Sequence, residues 1–237
     1  MRKLVKALIL IMSAVMVMTF ASCSGGGKKP ADNAPAGGGA ADGKKNIGII
    51  QYVDHIALDS ARQGFIDALA DNGYKDGETI TIDYQNAQGD ASNMSTIGER
   101  FVSNKVDLIL AIATPAAQAM AGKTTEIPIL GTAITDYVVA RLVDSNEVPG
   151  GNVSGTTDMN PVKEQIDLLV KLVPDDKTVG VLYTSSEDNS ILQAKLAKEA
   201  IEALGLKYVE VTVSNSNEVQ QATQAIVGQC DAIYIPT

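Results

Sequence analysis

The sequence is poor in the residues from which catalytic and metal sites are most often built. It has no tryptophan, one histidine (His55) and two cysteines (Cys23 and Cys230) among its 237 residues. A zinc site made of cysteine and histidine needs more ligands than these. No serine lies in a G-x-S-x-G elbow. A catalytic nucleophile usually needs a neighbouring base such as histidine, and the chain has only one histidine. We therefore predict no catalytic residue, no metal and no cofactor.

Positive charge and aromatic rings are also scarce. The net charge is −9, aromatic residues make up 4% of the chain, and the only basic cluster is at the N-terminus. Nucleic-acid binding needs clustered lysine and arginine, so we expect no nucleic-acid partner. Gly122-Lys123-Thr124 resembles the end of a phosphate loop, but Ala117 stands where that loop needs glycine. No G-x-G-x-x-G opens a helix, so a dinucleotide site has no support either.

The first residues have the pattern of an export signal. A positively charged head precedes an apolar run from Ala7 to Met18, which is short for a membrane span. The small pair Ala21-Ser22 directly before Cys23 resembles the bacterial lipoprotein signal, in which that cysteine becomes the lipidated first residue. We predict a signal peptide over residues 1–22 and lipidation at Cys23. The alternative is a plain secretory signal followed by a chance cysteine.

A tract of glycine, alanine, lysine and proline follows, and we predict a flexible linker over residues 23–45. A protein with this arrangement would be held outside the membrane by a lipid and a tether. If Cys23 carries the lipid, Cys230 is left as a lone thiol, which we expect to be packed. A disulfide between the two cysteines is the alternative.

The globular part is organised around the apolar run Leu108 to Ala113, which stops at Thr114-Pro115. A short continuous apolar run is typical of a strand buried on both faces, as in a parallel sheet covered by helices. The segment from Asp231 to Thr237 repeats the pattern, since each copy starts with aspartate and ends at a proline–threonine pair. This echo indicates a duplicated architecture.

The order of elements also repeats. A buried strand with an inner glycine starts near Ile47 and again near Val179, and each is followed by a helix, an alternating strand, a second helix and the aspartate-led strand. This alternation predicts an α/β fold with two doubly wound parallel-sheet domains. We predict a first lobe over residues 46–157 and a second over 158–237. The second copy stops early, so we expect an incomplete second lobe in a C-terminally truncated chain.

Three local predictions can be compared with the structure. A helix should bury Leu58, Ala61, Phe65 and Leu69, and a later helix should bury Leu192, Leu196, Ala200 and Leu204. Thr114 should cap a helix whose first residue is Pro115. Residues 132–136 should form a loop, and residues 146–161 should form an irregular join between the lobes.

Ligands of open α/β sheets bind at the carboxyl ends of the strands. Here those ends are polar and carry no lysine or arginine, which suits a small zwitterion or neutral solute. Asp136 or Glu187 could meet a ligand ammonium group, and the helix after Thr114 could offer N–H groups to a carboxylate. The candidate ligand-binding residues are Tyr52, His55, Thr114, Asp136, Ser185, Glu187, Asn189, Asn215 and Thr237.

Each candidate also has a purely structural interpretation. Thr114 and Asn189 are alternatively helix caps, and Asp136 is alternatively a turn residue. Tyr52 is alternatively packed at the rim of the cleft, and His55 is alternatively solvated. The residues alone leave these alternatives open.

Five segments together resemble the solute-binding lipoproteins of ABC importers, most closely the group associated with tryptophan and tyrosine uptake. They are QYVDHIALD (51–59), YQNAQGD (84–90), AIATPAAQ (111–118), PGGNVSG (149–155) and YIPT (234–237). The resemblance covers nearly all of residues 46–237. Family members run on past the final proline–threonine pair and complete the second lobe.

The resemblance implies two lobes of the type I periplasmic-binding fold that close about a hinge on one amino acid. It implies an ABC permease and its ATPase as partners, and an extracytoplasmic location with a lipid anchor in the bacterial cell membrane. It implies ligand contacts at Thr114, Asp136, Ser185, Asn189 and Asn215. The main alternative function is an extracellular sensory or receptor domain without a transport role, and an enzyme ranks third.

Overall fold

The computed structural model of the chain describes residues 43–173 and 178–237. The predicted signal peptide (1–22), the lipidation site Cys23 and the linker up to residue 42 lie outside the described residues. Across the part of the chain that is described, no helix has the length and apolar character that a membrane crossing needs.

The first lobe is built on a five-stranded parallel sheet with the strand order β2-β1-β3-β4-β5. Its strands are β1 (Lys45–Gln51), β2 (Ile80–Asn86), β3 (Leu108–Ile112), β4 (Ile129–Ile134) and β5 (Val153–Thr157). Its helices are α1 (Ile56–Asp71), α2 (Ala91–Ser103) and α3 (Thr114–Ala121). The alternating strand β2 lies at an edge of the sheet, where one face is expected to be wetter.

The second lobe is built on a three-stranded parallel sheet with the strand order β7-β6-β8. Its strands are β6 (Thr178–Thr184), β7 (Lys207–Val213) and β8 (Ala232–Tyr234). Its helices are α4 (Val162–Leu172), α5 (Asp188–Ala203) and α6 (Val219–Val227), with a short 3₁₀ helix at Ser216–Glu218. Two parallel sheets with covering helices confirm the predicted α/β class.

The strands at the centre of the first sheet are buried on both faces, as their continuous apolar runs predict. Ile49 of β1 and Ile112 of β3 pack on the side that carries Phe65 of α1. Ile50 of β1 packs on the opposite side with Phe101 of α2. Burial of both faces requires a helix layer on each side of the sheet, which is the doubly wound arrangement.

The inner glycines of the two lobes have the same packing role. A Cβ at Gly48 of β1 would lie 2.8 Å from the ring of Phe101, and a Cβ at Gly180 of β6 would lie 2.7 Å from Sγ of Cys230. Both glycines therefore let the next helix layer approach the strand closely. Cys230 is half-buried in this contact.

The two leading aspartates also have one shared role. Oδ2 of Asp107 accepts a hydrogen bond from the backbone N–H of Asn46 at 2.8 Å. Oδ2 of Asp231 accepts one from the backbone N–H of Thr178 at 2.9 Å. In each lobe the aspartate before the third strand thus holds the start of the first strand, which explains why the two segments echo each other.

Local details differ from the predictions in three places. The predicted loop 132–136 begins as strand, because β4 continues to Ile134. The predicted irregular join contains β5, which pairs with β4 through its backbone although four of its five side chains are exposed. The cap of α3 is Ala113 in a left-handed conformation (φ 83°), and Thr114 is the first helical residue.

The helix faces are predicted with mixed success. Leu58, Phe65 and Leu69 of α1 do pack on the first sheet, although none is fully buried. The predicted leucine face of α5 is only partly correct. Leu196 and Ala200 pack against the second-lobe core, but Leu204 is 46% exposed and the fully buried stripe contains Ala197 and Ile201 instead. Small side chains allow the helix axis to approach β6 more closely than leucines would, so the leucines lie at the flank.

Replacing Gly48 by alanine should destabilise the chain, because the new methyl group would overlap the buried ring of Phe101. We expect a loss of about 1–3 kcal/mol in the free energy of unfolding, measured by chemical denaturation. The control is Gly64→Ala on the exposed face of α1, where no atom lies within 4 Å of the added Cβ. That change should stabilise the helix by up to about 1 kcal/mol. Equal effects of the two substitutions would contradict the packing role of Gly48.

Candidate ligand-binding site

The candidate site lies where the carboxyl ends of the first-lobe strands face the second lobe. Strands in a parallel sheet all end at one edge, so the segments after β1, β3 and β4 are brought together. The second lobe contributes the residues at the start of α5. Three polar contacts join the lobes here and a fourth lies beside them within the second lobe, and we call the four together the lobe junction.

The first contact joins Tyr52, directly after β1, to Glu187, directly before α5. The hydroxyl of Tyr52 donates to Oε1 of Glu187 at 3.4 Å. Burial raises the pKa of the Glu187 carboxyl, while hydrogen bonds from Tyr52 and Asn189 lower it in part. Burial, and then the nearby Glu187 charge, raises the pKa of the Tyr52 phenol. The junction therefore holds a half-buried carboxylate whose hydrogen bonds come from Tyr52 and Asn189, neither of which is basic.

The second contact is made by Asp188, the first residue of α5. Its Oδ2 accepts from Nε2 of Gln118 at 2.9 Å and from Nη2 of Arg141 at 3.3 Å. Gln118 belongs to α3 and also donates to the backbone carbonyl of Ala140 at 3.1 Å. Arg141 is 81% exposed, so its pair with Asp188 lies at the rim of the junction.

The third contact is made by Gln193, which is fully buried on the second turn of α5. Its Nε2 donates to Oγ1 of Thr135, the residue after β4, at 3.2 Å. The same nitrogen donates to Oγ1 of Thr237 at 2.6 Å. Its Oε1 is buried and has no hydrogen-bond partner among the described residues. A buried carbonyl oxygen without a hydrogen bond destabilises the folded state, so a donor that reached this atom would be bound favourably.

The fourth contact lies beside it and involves the segment after β8. Oγ1 of Thr237 accepts from Nδ2 of Asn160, the residue that precedes the start of α4 by two positions, at 3.2 Å. The carbonyl of Thr237 accepts from Oγ of Ser190 at 3.3 Å. Nδ2 of Asn189 lies 3.5 Å from the same carbonyl, while Oδ1 of Asn189 is buried and has no partner in the part of the chain that the structure describes.

The structure brings several predicted residues to this place. Tyr52, Glu187, Asn189 and Thr237 all take part in the junction contacts given above. Thr114 is buried at the start of α3, one turn before Gln118, and so lies on the junction side of that helix.

Asp136 follows the junction residue Thr135. Its Oδ1 accepts from the backbone N–H of Val139 at 2.8 Å, which is the turn role that the sequence left open.

Three other predicted residues make local contacts. Nδ1 of His55 accepts from the N–H of Ala57 and caps α1. Oγ of Ser185 lies 3.5 Å from the carbonyl of Val213, and Oδ1 of Asn215 caps the 3₁₀ helix. A ligand role for these three stays a prediction.

Seven residues whose side chains take part in the junction were not among the candidates. Thr135, Asp188 and Ser190 directly adjoin candidate residues, whereas Gln118, Arg141, Asn160 and Gln193 do not. Gln193 does have a signal in the sequence, because it is an amide next to Ala194 on the buried stripe of α5. Gln118 and Arg141 have none, since a polar residue on a short helix or in a turn is usually solvated.

The acidic and sulfur-containing side chains do not gather into a metal site. Within residues 43–173 and 178–237, no group of three or more histidine, cysteine, aspartate or glutamate residues could hold a metal ion. The chemistry of the junction is instead that of hydrogen bonding, with amides, hydroxyls and carboxylates.

A family model described as ABC transporter substrate binding protein matches residues 46–237. The chain belongs to this family. A tyrosine-binding protein of Clostridioides difficile is 45% identical over 235 residues, which cover 98% of this chain and 67% of the relative.

Two similar solved structures superimpose on this chain to different degrees. The first is an ABC domain in complex with L-Trp from Streptococcus pneumoniae, at 41% identity and a TM-score of 0.79. The second is a ligand-free, open substrate binding protein from Clostridium difficile, at 49% identity and a TM-score of 0.61. The alignments cover 81% of this chain and 65% of each structure, so the chain spans about two thirds of these relatives.

Replacing Glu187 by glutamine should change how stability depends on pH. Burial raises the pKa of Glu187 in the folded state, so the folded protein binds this proton more tightly than the unfolded chain. The charged carboxylate therefore costs stability at neutral pH, and the cost is relieved as the pH falls through the raised pKa. Glutamine keeps an acceptor for Tyr52 but has no charge.

We expect Glu187→Gln to be more stable than the natural chain at pH 7 and the difference to vanish near pH 4, where model carboxyls become protonated. Denaturant unfolding at both pH values measures this. Parallel stability profiles for the two proteins would show that the Glu187 carboxyl is not desolvated.

Proposed function

We propose that this protein is the extracytoplasmic solute-binding component of an ABC importer and that its ligand is an amino acid, with aromatic amino acids as the first candidates. The observation that carries the proposal is the lobe junction, where polar groups of two lobes meet around buried, unpartnered oxygen atoms. Family membership and the named ligands of two relatives support the same reading. The protein binds its ligand and hands it to a permease and its ATPase without chemical change.

The junction offers complementary groups to an amino acid. Glu187 contributes a half-buried carboxyl group whose pKa is raised by burial, while Asn189 and Gln193 hold buried carbonyl oxygens on the helix that follows it. An ammonium group has three N–H donors and no acceptor, so these oxygens suit it. The first turn of α3, which begins at Thr114, carries N–H groups that suit the carboxylate. We propose Tyr52 and Asp136 as further contacts at the rim.

We infer that the lobes are arranged here as in a closed, ligand-bound protein. The chain superimposes better on the L-Trp complex than on the open, ligand-free relative, although the open relative is the more identical in sequence. Divergence in sequence would give the opposite order. Closure would then be favoured by contacts that both lobes make, including the bonds that Asp188 accepts from Gln118 and Arg141.

The intact protein should bind L-tryptophan or L-tyrosine in isothermal titration calorimetry. Asp188→Ala should weaken that binding about 3- to 10-fold, because two donors of the first lobe lose their acceptor in the closed state. The control is Asp167→Ala, whose carboxylate pairs with Lys163 within α4. A protein that binds neither amino acid would overturn the proposed ligand class, and equal affinities of both variants would overturn the closure role of Asp188.

We also propose that Cys23 is lipidated and anchors the protein to the bacterial cell membrane. The support is the charged head, the short apolar run and the small pair before the cysteine. Cys23→Ser should abolish incorporation of radioactive palmitate in the producing bacterium and release the protein from the membrane fraction. Cys230→Ser should keep both properties. Labelling that survives Cys23→Ser would place the lipid on another residue, and a natural protein that incorporates no palmitate would have only a plain secretory signal.

A further inference from the structure

The nitrogen and the oxygen of the Gln193 side-chain amide differ in their hydrogen bonding. All the hydrogen bonds of its side chain converge on Nε2, which lies 3.2 Å from Oγ1 of Thr135, 2.6 Å from Oγ1 of Thr237 and 3.4 Å from the carbonyl oxygen of Thr237. Oε1 has no partner, although the side chain is completely buried. A buried amide of this kind normally uses both ends.

The surroundings fix which way the amide is turned. The hydroxyl of Thr135 also hydrogen-bonds the carboxylate of Asp158, and this lowers the pKa of Asp158 against the larger effect of burial, which raises it. A hydroxyl has one proton, so a hydroxyl that donates to Asp158 can only accept from Gln193. Nε2 must therefore point to Thr135, and Oε1 must be the atom that is left over.

A second unpartnered oxygen lies beside it on the same helix. Oδ1 of Asn189 is also buried without a hydrogen bond, and positions 189 and 193 are neighbours on one face because they are four residues apart. Glu187, immediately before the helix, has a pKa raised by burial and adds a carboxylate oxygen. The start of one helix thus presents three acceptors at the lobe junction, and two of them lack a donor among residues 43–173 and 178–237.

We propose that Gln193 is a ligand-contact residue that couples occupancy to closure: Oε1, together with Oδ1 of Asn189, accepts N–H bonds from the α-ammonium group of the ligand, while Nε2 holds the first lobe through Thr135. This rests on the proposed amino-acid function. The ligand and the first lobe are then bound by opposite ends of one planar group, so each fixes the orientation that the other needs. Hydroxyl or ring N–H donors of a side chain would not satisfy two acceptors at once.

The test compares two ligands that differ only in the ammonium group, L-tryptophan and 3-(indol-3-yl)propanoate, by calorimetry on the intact protein. Gln193→Leu keeps the size of the side chain and removes both amide atoms. We expect it to weaken L-tryptophan binding about 10- to 100-fold more than it weakens binding of the deamino ligand. Asp188→Ala, which affects closure alone, should weaken both ligands by the same factor.

Gln221→Leu, at an exposed position of α6, is the matched control and should leave both affinities unchanged. Thermal unfolding of each variant shows whether it is folded, and Gln193→Met offers a second apolar replacement with a more flexible chain.

Equal losses for the two ligands in Gln193→Leu would reduce Gln193 to a closure residue, and unchanged affinities would remove it from the site; either result overturns the proposal. If the natural protein binds L-tryptophan and only the Gln193 result fails, the importer function stands. If the natural protein binds no amino acid, the proposed function and this inference both fall.

Discussion

The polar contact between one helix and the edge of a parallel sheet is the constraint on which the rest of this structure depends. Glu187, Asp188 and Gln193, at the start of α5, meet groups that follow β1, β3 and β4. The sheet can present those groups together only because its strands are parallel and end at one edge. The two-lobed architecture thus gives one helix of the second lobe access to three segments of the first.

Two pairs of equivalent residues explain why the two lobes share a sequence pattern. Gly48 and Gly180 leave room for a helix layer, and Asp107 and Asp231 hold the start of the neighbouring strand. These requirements belong to the strand–helix–strand unit and recur wherever the unit recurs. They explain why short echoes in the sequence could predict the fold class although the lobes differ in most side chains.

The sequence predicts those elements that leave a recognisable pattern of apolar and polar side chains. The buried strands and most of the helices follow from continuous or periodic apolar residues, and strand ends locate Tyr52 and Glu187 near the site. β5 could not be predicted, because backbone pairing with β4 defines it and its side chains are mostly exposed. Gln118 and Arg141 could not be found, because their partner Asp188 lies in the other lobe and no local pattern records that contact.

Ala113 lies in the turn between β3 and α3 and has a strained backbone conformation. Its left-handed backbone (φ 83°) is unfavourable for a residue with a Cβ and persists only where the surrounding structure over-determines it. The turn between β3 and α3 is therefore a stiff element with one accessible conformation. A turn held in this way fixes the direction in which α3 leaves the sheet, and with it the positions of Thr114 and Gln118 at the lobe junction.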